Sequence, residues 1–119
     1  MNDVRGLLHD NLHRVFAERD AARRRAAIDE VYAEDVLFVD PEGTSVGRDA
    51  LHQKAGDLLA KVPDTFTFTE DGPRYLGSAT GALAWAFGPE GASVARGIDV
   101  VTVRDGVIAE LRTMLVEGE

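Results

Sequence analysis

The chain has 119 residues and not one of them is cysteine. Disulfides, thiolate metal ligands and a cysteine nucleophile are therefore excluded together. The fold must be held by ordinary burial, and a hydrophobic content of 45% is enough for one core. The length is typical of a single domain, so we expect one domain over residues 1–119.

Long hydrophobic runs are also missing. No apolar stretch approaches the roughly 20 residues that a membrane-spanning helix needs, so we expect no membrane partner. The first five residues, Met-Asn-Asp-Val-Arg, do not begin a basic segment followed by an apolar one, as a signal peptide would. These two absences favour a cytoplasmic protein.

Basic residues are scarce relative to acidic ones. There are 13 Lys and Arg against 21 Asp and Glu, which gives a net charge of −8. Such a surface repels phosphate backbones, so we expect no nucleic acid partner. The one dense basic run, at residues 23–25, has acidic neighbours and is typical of a solvated helix face.

Apolar periodicity predicts three helices in the first half of the chain. The first covers residues 3–19, and the second begins after Asp20, which has the chemistry of an N-cap. A strand at residues 36–41 follows the second helix. The third helix is predicted to begin near residues 47–49 and to end before Pro63.

After Pro63 the pattern alternates with a period of two, which predicts strands. We expect them at residues 65–69, 74–77, 79–87, 94–103 and 107–116, with Gly72-Pro73 ending the first of them. The pair Asp105-Gly106 between two strong strands is a typical hairpin turn. The prediction is an α+β fold with three N-terminal helices packed in a curved mixed sheet, mostly antiparallel.

Asp40 is the first unusual carboxylate. It ends an apolar strand on the same face as Val36 and Phe38, and Pro41 follows it. If that face is interior, desolvation raises the pKa of Asp40, which suits a general base near neutrality. The alternative is a surface turn in which Asp40 caps its own backbone.

Asp99 is the second unusual carboxylate. It lies in the apolar run of residues 97–103, where a strand is predicted and Asp is disfavoured. A charge in that position needs a partner, protonation or a water-filled cavity. A purely structural pairing with Arg96, Arg112 or a backbone amide is the alternative.

Two histidines on the first helix have the spacing of metal ligands. His9 and His13 are four residues apart, as in the helix of zinc proteases, but with Asp10 where those have Glu. The sequence shows no third ligand, so we expect no metal and a protein that folds without one.

The predicted sheet also has an apolar outer face. Ile98, Val100 and Thr102 point away from the side that carries Asp99, and a monomer would expose them to water. We therefore expect a homodimer.

Several segments together resemble a known superfamily. Three helices precede a sheet, Val39-Asp40-Pro41-Glu42-Gly43 closes the first strand, and Gly97-Ile98-Asp99 and Arg104-Asp105-Gly106-Val107-Ile108 follow. Over nearly its whole length the chain resembles the nuclear-transport-factor-2-like superfamily, which includes ketosteroid isomerases and SnoaL-like polyketide cyclases. The resemblance implies a cone-shaped, cystatin-like fold with a pocket at its wide end.

The resemblance also implies roles. Asp40 matches the general base of ketosteroid isomerase, and Asp99 matches the acid that donates a hydrogen bond to the enolate oxygen. Phe16 stands where that enzyme has a tyrosine donor. The implied function is isomerase, cyclase or dehydratase chemistry without a cofactor, on a small hydrophobic molecule. The expected pocket residues are Phe16, Tyr32, Phe38, Phe66, Trp85 and Leu115.

Two other functions remain open. The same residues can form the core of a non-catalytic ligand-binding or dimerisation module of this fold. An epoxide-hydrolase-like arrangement would use Asp-Arg-Asp, but Arg96 and Asp99 are three residues apart, on opposite faces of a strand, and Thr113 replaces the second Asp.

Overall fold

The computed structural model describes residues 3–117 and contains the three predicted helices. These are α1 (Val4–Asp10), which continues directly as a π-helical segment (Asn11–Phe16), α2 (Ala21–Val31) and α3 (Arg48–Ala60). The side chains of Asp3 and Asp20 cap α1 and α2 by accepting hydrogen bonds from the amides of Gly6 and Arg23. The prediction of Asp20 as an N-cap is thus confirmed.

In the described part of the chain, six strands form one sheet. They are β1 (Tyr32–Asp40), β2 (Gly43–Val46), β3 (Thr67–Leu76), β4 (Thr80–Gly88), β5 (Ala95–Arg104) and β6 (Val107–Leu115). Their order is β2-β1-β6-β5-β4-β3; β1 and β6 are parallel and all other neighbours are antiparallel. The predicted α+β fold with a mixed, mostly antiparallel sheet is confirmed.

The turn between β5 and β6 is the hairpin that the sequence predicts. Asp105 and Gly106 have φ angles of 55° and 77°. A two-residue turn of this kind needs positive φ at both positions, which Asp tolerates and Gly adopts freely.

Two predicted boundaries in the first half were wrong. No strand was predicted between residue 41 and the third helix, but residues 43–46 form the short strand β2, in which Gly43 pairs with Asp40. This strand is mostly exposed, so it has no alternation of apolar and polar residues to reveal it. The first strand was predicted to begin at residue 36, but it begins at Tyr32, directly after α2 ends at Val31.

Gly72-Pro73 does not end a strand, as we had predicted. β3 continues through both residues with a shift of register: Glu70 pairs with Trp85 and Arg74 pairs with Leu83. Four steps along β3 therefore match two steps along β4, which defines a bulge. Proline is tolerated because β3 lies at the edge of the sheet and its bulged residues need no ladder hydrogen bond.

The helices cover one face of the sheet, and the core lies between them. Alternation along the strands assigned this inner face correctly: Leu83, Trp85 and Phe87 are buried on β4, and Asp99 and Val101 are buried on β5. The first helix contributes the fully buried Leu7, Leu8, Leu12 and Val15. Within residues 3–117, no helix is long and apolar enough to cross a membrane.

The outer face of the sheet carries two apolar rows. Ala84, Ile98 and Met114 are direct neighbours across β4, β5 and β6, and Ala82 pairs with Val100 beside them. Met114 is 51% exposed. Contiguous apolar residues on a solvated sheet face are typical of an interface between subunits.

We propose that a second copy of the chain covers this face in a homodimer. Such a dimer would bury about 1,600 Å² in total. Sedimentation at micromolar concentration should show a dimer for the wild type and a monomer for Ile98→Lys, because a charge would enter the centre of the apolar rows. Val46→Lys is the matched control: Val46 is 64% exposed but lies on β2, so its substitution should leave the dimer intact. A monomeric wild type would contradict the proposal.

Candidate functional site

A cavity of about 500 Å³ lies between the helices and the inner face of the sheet. This size is within the range of pockets for small organic ligands. Its wall is largely apolar and contains Leu12, Phe16, Phe38, Phe68, Trp85 and Phe87. The polar groups on it include both carboxylates singled out in the sequence, Asp40 and Asp99, together with Lys54 and Thr113.

Four of the six predicted pocket residues line this cavity. Phe16, Phe38, Trp85 and Leu115 do so, with Leu115 at the exposed rim. Tyr32 and Phe66 do not. Tyr32 is fully buried behind the cavity wall, because it starts β1 instead of ending a helix. Phe66 precedes β3, and its ring packs edge-on against Phe87 with centroids 5.6 Å apart.

Asp99 is the centre of the buried polar network. The carboxylate is 4% exposed and accepts three hydrogen bonds from side chains. Trp85 Nε1 and Thr113 Oγ1 donate to Oδ1 at 3.0 and 2.7 Å, and Asn11 Nδ2 donates to Oδ2 at 2.8 Å. None of these partners is the Arg96, Arg112 or backbone amide of the structural alternative.

Gly97 allows Trp85 to reach Asp99. Gly97 pairs with Trp85 across β4 and β5, and a Cβ atom at Gly97 would lie 2.6 Å from the indole ring. Only glycine leaves room for the ring to lie against the strand at this point. The indole nitrogen is thereby directed to the carboxylate two residues further along β5.

A second layer holds Asn11. The Tyr32 hydroxyl donates a hydrogen bond to Asn11 Oδ1, which leaves the amide nitrogen of Asn11 directed at Asp99. Burial, followed by the nearby charges of Asp99 and Asp10, raises the pKa of Tyr32 well above its usual value. Tyr32 therefore remains a donor at neutral pH and fixes the orientation of the amide.

The environment of Asp99 favours its neutral form. Burial raises the pKa of Asp99, and the hydrogen bonds from Thr113, Trp85 and Asn11 oppose the rise without cancelling it.

Asp40 has a different environment at the cavity. It shares a strand face with Val36 and Phe38, as predicted, but it is ion-paired: Lys54 Nζ lies 2.8 Å from Oδ2. Neither interpretation of the sequence included this cation. The other oxygen, Oδ1, accepts the amide of Glu42 at 2.9 Å, so Asp40 also makes the turn contact that was the alternative interpretation. Asp40 thus lines the cavity and makes the turn contact at the same time.

Two residues of the site were missed in the sequence, although both gave a signal. Asn11 lies three and four residues from the buried Leu8 and Leu7, which places it on the buried side of the first helix. Lys54 is three residues after the buried Leu51, at the flank of the apolar stripe of α3. A polar residue on such a stripe indicates a buried partner.

The epoxide-hydrolase-like arrangement does not form. Arg96 is exposed on the outer face, and its Nε lies 3.6 Å from Asp71. Thr113 is a donor to Asp99, so it does not supply a second carboxylate.

His9 and His13 lie outside the cavity, and a potential third ligand that the sequence did not reveal lies beside them. Glu70 of β3 approaches both, with its Oε2 2.8 Å from His13 Nε2.

The network around Asp99 predicts an unusual dependence of stability on pH. Because the folded-state pKa of Asp99 is raised, folding favours its protonated form. Its contribution is therefore complete below the unfolded pKa of about 3.9 and declines as pH rises through the folded pKa. Asp99→Asn should lack this decline, so its free energy of unfolding relative to wild type should increase between about pH 4 and pH 8. Urea unfolding across that range measures it.

Asp99→Leu is the contrasting variant. It removes the acceptor of three donors, two of which belong to residues that are almost fully buried. An unpaired buried donor costs about 1–3 kcal/mol, so we expect a loss of about 3 kcal/mol or more. Equal stability of the Leu variant and wild type would show that the network contributes nothing.

Comparisons with known proteins give the family. Residues 10–111 match the model of the SnoaL-like domain. A provisionally assigned isomerase of the SnoaL-like family from Agrobacterium tumefaciens has a similar structure, with 25% identity and a TM-score of 0.84 over 92% of this chain and 94% of that one. A search of curated proteins found no match.

Two more distant structures share the fold. A provisionally assigned ketosteroid isomerase from Kribbella flavida is 17% identical, with a TM-score of 0.73 over 97% of this chain and 78% of that one. A provisionally assigned polyketide cyclase from Sinorhizobium meliloti is 14% identical, with a TM-score of 0.71 over 90% and 92%. Since the family model covers most of the chain, the protein belongs to the SnoaL-like domain family of the nuclear-transport-factor-2-like superfamily.

Proposed function

We propose that the protein is an isomerase or cyclase that moves a proton within a small apolar carbonyl compound, without a cofactor. The observation that carries this proposal is the pair of carboxyls on one apolar cavity in two unlike environments. Asp40 is ion-paired, whereas Asp99 is buried among neutral donors. Two carboxyls whose environments differ in this way are suited to act as base and acid. The similar isomerases and cyclase support the same class of reaction.

Asp40 is the base in this proposal. Its carboxylate takes a proton from the carbon next to the substrate carbonyl, and the electron pair of that C–H bond moves to the carbonyl oxygen as an enolate. The proton then returns to a different carbon in an isomerisation. In a cyclisation the enolate carbon attacks a second carbonyl carbon, and the proton passes to the new alkoxide.

Asp99 is the acid that stabilises the enolate. Its Oδ1 already accepts two hydrogen bonds, from Trp85 and Thr113, whereas Oδ2 accepts one, from Asn11. A proton on this carboxyl therefore belongs on Oδ2, which retains a lone pair for it. From Oδ2 the neutral acid can donate a hydrogen bond to the developing oxyanion.

Lys54 sets the resting state of the base. Its ammonium lies 2.8 Å from both Asp40 Oδ2 and Glu42 Oε1, and the hydrogen bonds to Asp40 and then Glu42 raise the pKa of Lys54. Asp40 therefore has an ammonium counter-ion in place before substrate arrives. Because Glu42 offers the ammonium a second acceptor, Lys54 can release one oxygen of Asp40 without losing all its partners.

The chemistry of the wall restricts the substrate. Phe16 and Phe38 pack against each other with centroids 5.9 Å apart, and Phe68 packs edge-on against Trp85 at 5.5 Å. These rings favour an apolar, partly planar molecule. Phe16 has no donor, so Asp99 is the acid of the site and the preferred substrates have an acidic C–H bond that needs modest stabilisation of the enolate.

Exchange of carbon-bound hydrogen in D₂O tests the proposal without knowledge of the product. A panel of small apolar ketones and β-dicarbonyl compounds is incubated with the protein, and deuterium incorporation is followed by NMR. Asp40→Asn should reduce the exchange by a factor of about 10²–10⁴, the usual contribution of a general base. Its stability should change by about 1 kcal/mol or less, because Lys54 keeps its contact with Glu42.

Asp29→Asn is the matched control. Asp29 is also ion-paired, with Arg25 Nε at 3.2 Å, but it is exposed on α2 and does not line the cavity, so its substitution should leave exchange unchanged. Exchange that survives Asp40→Asn would contradict the proposed base. Saturable ligand binding by wild type, with no exchange for any compound, would favour the non-catalytic ligand-binding module.

A further inference from the structure

Outside the cavity, four side chains meet where the first helix crosses the edge strand β3. His9 and His13 come from the helix, and Glu70 and Arg74 come from the strand. The potential ligand atoms of His9, His13 and Glu70 all lie within 4.8 Å of one another. None of the four residues lines the cavity. We call His9, His13 and Glu70 the two-histidine cluster.

The spacing of His9 and His13 on the first helix places their rings together, and the bulge in β3 brings Arg74 to Glu70 beside them. Residues four apart on a helix lie on the same side, and the rings of His9 and His13 are 4.6 Å apart. Residues four apart on a regular strand would be separated by about 13 Å. The bulge shortens this distance, so that Glu70 and Arg74 both face the helices and form an ion pair at 2.8 Å. Bulges commonly redirect side chains in this way at functional sites.

The guanidinium of Arg74 already places a positive charge among the ligand atoms. Its Nη2 donates to Glu70 Oε2 at 2.8 Å and lies 3.3 Å from His9 Nδ1. Because a guanidinium can only donate, His9 Nδ1 must present its lone pair. Glu70 accepts hydrogen bonds from both Arg74 and His13, so its oxygens direct lone pairs into the same space.

We propose that the two-histidine cluster binds a divalent transition metal of the zinc type, which displaces the guanidinium of Arg74 from among the three ligands. Two imidazoles and one carboxylate are a ligand set that zinc prefers, and magnesium or calcium does not. The ligand atoms around tetrahedral zinc are about 3.3 Å apart, so atoms that now lie within 4.8 Å of one another need to close by at most about 1.5 Å. His9 and Glu70 are exposed and His13 is half-buried, so there is room for their side chains to move.

Binding changes the protonation of one ligand. His13 Nε2 now donates its proton to Glu70 Oε2 at 2.8 Å, so the bound form needs the other tautomer or the loss of that proton. With three protein ligands the fourth position of the metal is left for water. A bound metal ion would link the first helix to the edge strand β3, and should therefore stabilise the fold.

Calorimetric titration of the chelator-stripped full chain with Zn²⁺ tests this. Wild type should bind one equivalent. His13→Ala and Glu70→Gln should each weaken binding by about ten-fold or more. Arg74→Gln should bind more tightly than wild type, because the competing cation is gone while all three ligands remain. His52→Ala is the matched control, since His52 is on α3 and should not affect binding.

Thermal unfolding gives a second readout that does not depend on heat signals. Zn²⁺ should raise the Tm of wild type and of His52→Ala, but not of His13→Ala or Glu70→Gln, and the metal-free Tm shows whether each variant is folded. The absence of saturable binding by wild type would overturn the proposal. So would binding that His13→Ala and Glu70→Gln leave unchanged; in either case the cluster is an ion-pair network only.

Discussion

The buried carboxyl of Asp99 joins parts of the chain that are far apart in sequence. Its three donors come from the first helix, from β4 and from β6, and Asn11 is 88 residues away from it. The position of each donor has its own cause: Gly97 makes room for the indole of Trp85, and Tyr32 fixes the amide of Asn11. The arrangement of these three donors therefore depends on one acceptor, the carboxyl of Asp99, which lies on the cavity wall.

The same constraint separates the two carboxyls chemically. A desolvated group surrounded by neutral donors retains its proton more readily than a group paired with an ammonium. Asp99 has the first kind of environment and Asp40 has the second, although both contact one apolar cavity. In the proposed function, the carboxyl among neutral dipoles is the acid and the carboxyl beside Lys54 is the base.

The features that follow from local periodicity could be predicted from the sequence. Alternation in residues 79–103 assigned Trp85 and Asp99 to the same inner face, and Asp105-Gly106 placed the hairpin. The anomaly of Asp99 was visible because a charge in an apolar strand breaks the local pattern. What could not be predicted depends on contacts between distant segments: the partner of Asp40 on α3, the donors of Asp99, and the approach of Glu70 to the first helix.

Two features that were not predicted from the sequence lie where the backbone is irregular. The first helix widens into a π-helical segment at Asn11, where the amide of Ala17 bonds to the carbonyl of Leu12. This segment carries Phe16 to the cavity and Asn11 to Asp99. β3 bulges at Gly72-Pro73, where a strand was predicted to end, and this bulge brings Arg74 to Glu70 of the two-histidine cluster. Natural sequences depart from local rules mostly at functional sites.

The two departures from regular backbone differ in what a change there would disturb. The π-helical segment is buried, and its polar residue Asn11 is held from both sides by Tyr32 and Asp99, so a change there disturbs the core. The bulge lies at an exposed sheet edge, where the partners of Glu70 are solvent-accessible and the loss of an ion pair costs little. The cavity is thus tied to the stability of the fold, whereas the proposed replacement of a guanidinium by a metal ion at the two-histidine cluster would leave the core unchanged.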